Sequence, residues 1–121
     1  MPLWLWLAVG ALGGCFAIAR FFVDAIVSSR AVSEFPWGTF AVNVSGSLAL
    51  GVLSGEAVTG RLSLLAGGAC VGSYTTFSTW MLETYRLGED DDRRPLLAYL
   101  FGSLAAGLAV AALGRWIGRA L

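Results

Sequence analysis

Charged side chains interrupt this sequence rarely, and the intervals between them are long. Residues 1–19, 35–55, 62–82 and 95–114 carry no charge, giving uncharged runs of 19, 21, 21 and 20 residues. About 20 residues at ~1.5 Å rise cross a hydrocarbon core of ~30 Å, and inside that core the backbone satisfies its own hydrogen bonds only as a helix or a closed barrel. Barrel strands alternate apolar and polar positions and are about half this length. The pattern therefore predicts an all-α integral membrane protein with four transmembrane helices in a single domain, multi-pass in the cell membrane. The helices are expected over about residues 3–25, 36–55, 62–86 and 95–117 of the 121.

The punctuation agrees with that division. Arg20 and Asp24 fall at the far end of helix one, where a long basic side chain reaches back to the interface. A loop over residues 28–35 leads to Pro36, which suits the first turn of helix two. The turn at 56–61 contains Gly60, and Pro95 opens helix four after an acidic loop, 89–92. Trp4, Trp6, Trp37 and Trp116 lie near span ends, where indole rings anchor among the headgroups. Both termini are expected on one side.

Composition changes the picture mainly by exclusion. Only 13% of residues are charged against 57% hydrophobic, about half the ~25% charge of a soluble domain, and the mean hydropathy is +0.74. Eight acids balance eight arginines, with no lysine or histidine, so there is no basic patch to neutralise phosphates and nucleic acid is not an expected partner. The acidic run at 89–92 reads as a solvated loop. Cys15 and Cys70 each lie inside an apolar run and are expected to be free thiols. The stretch Leu12-Gly13-Gly14-Cys15 imitates a lipoprotein cleavage site, but no lysine or arginine precedes the apolar segment, so the first run is expected to remain as a span.

The arginines divide three to five between the two sides: Arg61, Arg115 and Arg119 against Arg20, Arg30, Arg86, Arg93 and Arg94. So weak a bias leaves two readings, one orientation set by other features, or insertion both ways with antiparallel pairing of two copies. Sixteen glycines include the GxxxG spacings Gly10/Gly14, Gly51/Gly55, Gly68/Gly72 and Gly114/Gly118. Small residues let helix backbones approach closely in lipid, and faces in this number imply a tight bundle that also associates with a further subunit.

Candidate chemistry concentrates on helices two and three. Thr39, Asn43, Ser47, Gly51 and Gly55 recur every four residues and share one face. Asn43 at mid-span is either an interhelical hydrogen bond or a polar lining whose amide donates to an anion. Helix three carries Gly72-Ser73-Tyr74-Thr75-Thr76-Phe77-Ser78-Thr79-Trp80, then Glu83. Thr76, Thr79 and Glu83 are spaced for one helix face, and Phe77 and Trp80 for neighbours. A glycine followed by hydroxyl residues predicts a break near residues 72–75, with freed carbonyls able to bind a cation; the alternative is hydroxyls bonding back to their own helix. Tyr99 and Ser103 sit one turn apart in helix four. Such hydroxyls, one amide and the positive edges of aromatic rings suit weak, transient anion binding. No nucleophile with its base, phosphate loop or metal-hydrolase pattern occurs, so an enzyme is not expected.

The chain resembles the CrcB/Fluc fluoride channels along nearly its whole length. The resemblance rests on four short helices, on Gly38-Thr39-Phe40-Ala41-Val42-Asn43 with Gly46-Ser47, and on the highly specific run from Gly72 to Thr79; Arg20, Glu83, Tyr99 and Ser103 also fit. It implies an antiparallel dual-topology homodimer with two fluoride pores, or pairing with a paralogous subunit, and passive fluoride efflux that lowers cytoplasmic fluoride. It further implies a structural sodium ion, not transported, held at the dimer centre by the backbone carbonyls of Gly72 and Thr75. Asn43, Phe77, Trp80, Ser78, Thr79, Tyr99 and Ser103 would form the fluoride pathway, with Thr39, Arg20 and Glu83 in support. Trp80 departs from the family's usual phenylalanine, adding an N–H donor, and three readings stand open for it: a substitute anion contact, a narrower pore, or a subunit that works only beside a second, different copy. A small multidrug-resistance exporter is the alternative architecture, but its proton-coupled chemistry needs a carboxylate deep in helix one, and none precedes Asp24.

Overall fold

The computed structural model describes residues 1–31 and 33–121; of the expected 28–35 loop, Val32 lies outside the described residues. The elements are α1 (Leu3–Arg30), α2 (Trp37–Gly55), α3 (residues 60–74), α4 (Ser78–Leu87) and α5 (Arg94–Ala120). Three of them, α1, α2 and α5, are each long and apolar enough to cross a membrane. The remaining crossing takes two elements. At ~1.5 Å per residue α3 reaches only about 22 Å and α4 about 15 Å, so neither spans ~30 Å alone, and the pair does so as one interrupted path. The chain is a four-helix, multi-pass membrane protein.

Several ends differ from the sequence reading. Helix one continues past residue 25 to Arg30, where the Ser28 and Ser29 hydroxyls donate to Asp24 Oδ1 and the Ile26 carbonyl and so find their partners on the helix itself. Pro36 stands just before α2 instead of within it. Pro95 is preceded in α5 by Arg94; Asp92 Oδ1 accepts from the Arg94 backbone N–H and from its Nε at 3.0 Å each. That pairing holds the exposed Asp92 carboxyl below the usual carboxylate range.

Helix α2 is the hub: α1, α3, α4 and α5 all pack on it, most extensively α5. The α2–α5 seam is built from glycine. A methyl group on Gly51 would run into the Ala111 carbonyl, one on Gly55 into the Arg115 carbonyl, and one on Gly114 would lie 2.5 Å from the Leu48 carbonyl. Backbones this close gain dispersion contacts that any side chain would forbid. Gly10 and Gly14 face open space, so their spacing serves no contact inside the chain. Gly38 lets the start of α2 press on Asp24 and Ser28 of α1.

The α2–α3 turn closes on a left-handed cap. The Val58 N–H donates to the Leu53 carbonyl and the Ala57 N–H to the Ser54 carbonyl, the pattern of a Schellman motif, with Ala57 at φ 56° where glycine is usual.

Little of the single chain is enclosed. Val42 and Tyr99 are the large side chains it buries fully, whereas Phe77, Phe101, Leu108 and Trp116 are exposed. An apolar exterior of this kind belongs against lipid or another subunit.

Candidate functional site

The interruption between α3 and α4 organises the site. Residues 63–71 of α3 are wound wider than an α-helix, with the Gly72 N–H donating five residues back to the Gly67 carbonyl. Such π-winding is uncommon and clusters at functional positions, and the small residues Ala66-Gly67-Gly68-Ala69 put little bulk in its way. Thr75 then turns extended, φ −83° and ψ 162°, and helix resumes at Ser78. The break therefore falls at residues 75–77, about one turn beyond Gly72. Gly72 itself is accommodated by the winding.

Asn43 decides the position of the break. Its Nδ2 donates to the Thr76 carbonyl at 2.9 Å, and its Oδ1 accepts from the Thr76 N–H at 2.9 Å. In a continuous helix that N–H would close onto the Gly72 carbonyl four residues back. Captured by Asn43, it leaves the Gly72 carbonyl without its helical donor. Gly46, one turn on from Asn43, allows the Thr75 methyl to seat directly on α2.

Other groups tie off the ends. Arg20 Nη1 donates to the Thr75 carbonyl at 3.2 Å, and Thr75 Oγ1 donates to the Val71 carbonyl at 3.0 Å. Thr76 Oγ1 accepts the Thr79 N–H at 3.2 Å, capping α4 in the manner of an N-cap hydroxyl. Thr76 thus stands outside the helix carrying Thr79 and Glu83, and the single face drawn through all three in sequence is not continuous. The Thr39 hydroxyl donates to Glu83 Oε1, giving a carboxylate within the span a specific partner.

Two clefts result. A groove of about 420 Å³ runs between α2, the break and α5, bordered by Asn43, Thr75, Phe77, Trp80 and Ser103 among others. It exists because α3 and α5 both pack on α2 without meeting each other among the described residues. Phe77, 70% exposed, stands edge-on to Trp80 with ring centroids 5.8 Å apart at 80°, presenting positive ring edges. On the other side of the break a smaller cleft, about 210 Å³, brings together Arg20, Asp24, Thr39 and Thr79.

Of the residues singled out in sequence, Asn43, Thr75, Phe77, Trp80 and Ser103 meet in the groove, while Arg20, Thr39 and Thr79 line the second cleft. Ser78 is exposed beside Thr76, its hydroxyl 3.5 Å from Thr76 Oγ1. Gly72 is exposed and outside both clefts. Tyr99 is wholly buried and packs edge-to-face on Phe35, centroids 5.3 Å apart, apart from the groove. The sequence reading missed the Ser45–Tyr74 hydroxyl contact at 2.9 Å, which buttresses the same break. Ser45 lies off the four-residue stripe and so carried no signal.

Comparison with known proteins follows the same lines. The family described as CrcB-like protein, Camphor Resistance (CrcB), matches residues 5–115. The chain is 49% identical over 113 residues to a protein of Mycobacterium tuberculosis named fluoride-specific ion channel FluC 2, covering 93% of this chain and 90% of that one. It is 43% identical over 122 residues to FluC 1 of Streptomyces avermitilis, covering 98% and 97%. It is 35% identical over 109 residues to FluC 2 of Clostridium acetobutylicum, covering 90% and 93%.

Proposed function

Because the chain belongs to the CrcB-like family, we propose that it is a fluoride-specific ion channel that lets fluoride leave the cell passively, down its electrochemical gradient, and so lowers cytoplasmic fluoride. The observation that carries this reading is the two-bond Asn43–Thr76 clamp. It holds a transmembrane helix open at mid-depth beside a groove bordered by neutral polar groups and aromatic edges, with no charged residue in its lining. Neutral donors replace part of an anion's hydration without trapping it, as conduction requires.

The functional unit on this reading is an antiparallel homodimer, or a dimer with a paralogous subunit. Phe77 and the groove lie on the surface of the single chain, so a second subunit would roof them into an enclosed pathway. Asn43, Phe77, Trp80, Ser78, Thr79, Tyr99 and Ser103 form the fluoride pathway; Thr39, Arg20 and Glu83 support it.

The chain's donor set fits a sodium ion at the dimer centre. Among the described residues no cluster of histidine, cysteine or carboxylate side chains suits a metal, but hard cations take carbonyl oxygens. The Gly72 carbonyl has lost its helical donor, and the Thr75 carbonyl, bonded to Arg20, keeps a second lone pair. Gly72 and Thr75 would hold the ion, which supplies positive charge that ties the two broken helices together.

The test is fluoride flux through proteoliposomes carrying Asn43→Ala beside the unsubstituted chain. Flux through the unsubstituted chain, abolished in a folded Asn43→Ala dimer, is expected. Normal flux through that variant removes the clamp from the pathway.

A further inference from the structure

We propose that the end of the molecule where α1 begins and α5 finishes is a docking surface for anionic phospholipid headgroups, with Arg61, Arg115 and Arg119 taking the phosphates and Trp4 and Trp116 resting at the bilayer border. The inference stands apart from the fluoride reading: it concerns the lipid the chain sits against, whatever ion the chain passes.

The charges of the sequence balance in number but not in place. At this end three arginines stand with one carboxylate, Glu56, an excess of two positive charges, while toward the other end seven carboxylates outnumber five arginines, an excess of two negative. The fold gathers the basic set. Arg61, in the first turn of α3, lies over the Trp4 ring of α1 with its guanidinium carbon 5.4 Å from the ring centroid. The backbone at Arg115 and Arg119 of α5 packs on Gly55 at the close of α2, and Trp116 and Arg119 are neighbours one turn apart.

These arginines are also the uncommitted ones. Among the described residues, Arg20 donates to the Thr75 carbonyl and Arg94 to Asp92, and Arg86 shares a cleft with Glu34, Glu83 and Asp90. Arg61, Arg115 and Arg119 are exposed, and the ion pair found in the chain is that of Arg94 with Asp92. The larger number of arginines at the other end is therefore spent on the protein's own carboxylates and carbonyls. A guanidinium stacked on an indole keeps the N–H donors at its rim free while its stem is held, and its planar fork matches two oxygens of a phosphate.

The tryptophans decide where that phosphate comes from. Trp4 is 52% exposed and Trp116 70%, and indoles so placed at the end of a span rest among headgroups, which sets the arginines against lipid. Phosphatidylcholine offsets its phosphate with its own ammonium. A headgroup of net negative charge is the one that an excess of positive charge selects, each arginine near the surface adding about fivefold in affinity. In the proposed antiparallel dimer the two copies present this end to opposite leaflets, so both leaflets would hold such lipid.

The test is native mass spectrometry of the full chain in detergent, titrated with phosphatidylglycerol or with phosphatidylcholine of the same acyl chains, helix content being checked by circular dichroism. Phosphatidylglycerol is expected to bind about tenfold or more tightly than phosphatidylcholine. Arg61→Gln, Arg115→Gln and Arg119→Gln should each weaken its binding about fivefold, the equivalent of about 1 kcal/mol, and the triple glutamine variant should bind the two lipids alike. Lysine at the same three positions keeps the charge and should keep the preference, which separates loss of charge from damage to the fold. Arg93→Gln with Arg94→Gln, at the acidic end, should leave phosphatidylglycerol binding within about twofold. Equal affinity of the unsubstituted chain for the two lipids overturns the docking surface, as does a preference that survives in the triple glutamine protein or is lost equally in the Arg93→Gln, Arg94→Gln protein. Displacement of the lipid by an equal concentration of inorganic phosphate also overturns it, by marking a free-anion site.

Discussion

Asn43 spends both ends of one amide on a single peptide group, and the consequences spread from there. Its oxygen competes with the Gly72 carbonyl for the Thr76 N–H, and its nitrogen binds the Thr76 carbonyl, so the helix is broken and held broken by the same side chain. Asn43→Asp keeps an acceptor for the N–H but sets a carboxylate against the Thr76 carbonyl. It is expected to lower stability in detergent by about 1–3 kcal/mol and to abolish flux; a thermal unfolding midpoint equal to that of the unsubstituted protein would argue against the clamp. Thr39→Val strips Glu83 of its hydroxyl partner and leaves a carboxylate unpaired within the span, with a loss of about 1–3 kcal/mol expected by the same measurement. The polar stripe made Asn43, Thr39 and Ser47 legible as one face. It did not reveal what Asn43 bonds, because an interhelical bond and an anion contact need the same face. The partner, a backbone N–H, becomes available only once the helix has already opened.

At the scale of elements, close approach and winding set the architecture. The Gly51/Gly55 and Gly114/Gly118 spacings interlock α2 with α5, whereas Gly10/Gly14 touches nothing in the chain. Gly51→Val and Gly114→Val should each destabilise by about 1–3 kcal/mol or more through overpacking against backbone, while Gly10→Ala leaves the isolated chain's stability within about 0.5 kcal/mol; chemical or thermal unfolding in detergent checks both. Ala57→Gly at the left-handed cap is expected to stabilise by about 1 kcal/mol; a loss of stability would contradict the left-handed geometry at that turn. Uncharged runs placed all four crossings, since length and lack of charge suffice for that. Helix ends were less legible. Nothing in the run from Leu62 to Leu82 marks the π-winding at residues 63–71 that precedes the break, and Ser28 and Ser29 look like loop residues until their bonds into α1 are seen.

The single chain, taken as a whole, is a scaffold that leaves its most specific chemistry on its outer surface. Phe77 is largely exposed, the groove is open along one side, and the buried core is small. That arrangement motivates the proposed dimer. The balanced arginines suit a chain that inserts both ways. If a structural sodium joins Gly72 and Thr75 of both copies, replacing sodium on both sides by a bulky organic cation should stop fluoride flux in liposomes, and undiminished flux would remove the ion from the structure. The all-helical class could be read from sequence because hydropathy is local, and of the residues that motif spacing singled out Asn43, Thr75, Phe77, Trp80 and Ser103 meet in the groove while Gly72 and Tyr99 lie outside it. The second subunit could not be read from the fold of one chain, and it bears on the central claim. The most direct measurement is efflux of fluoride, with chloride as comparison, from liposomes containing this chain alone. Rapid fluoride release with chloride retained is the predicted result; retention of fluoride by a folded, membrane-inserted protein, or equal release of both ions, would contradict the account.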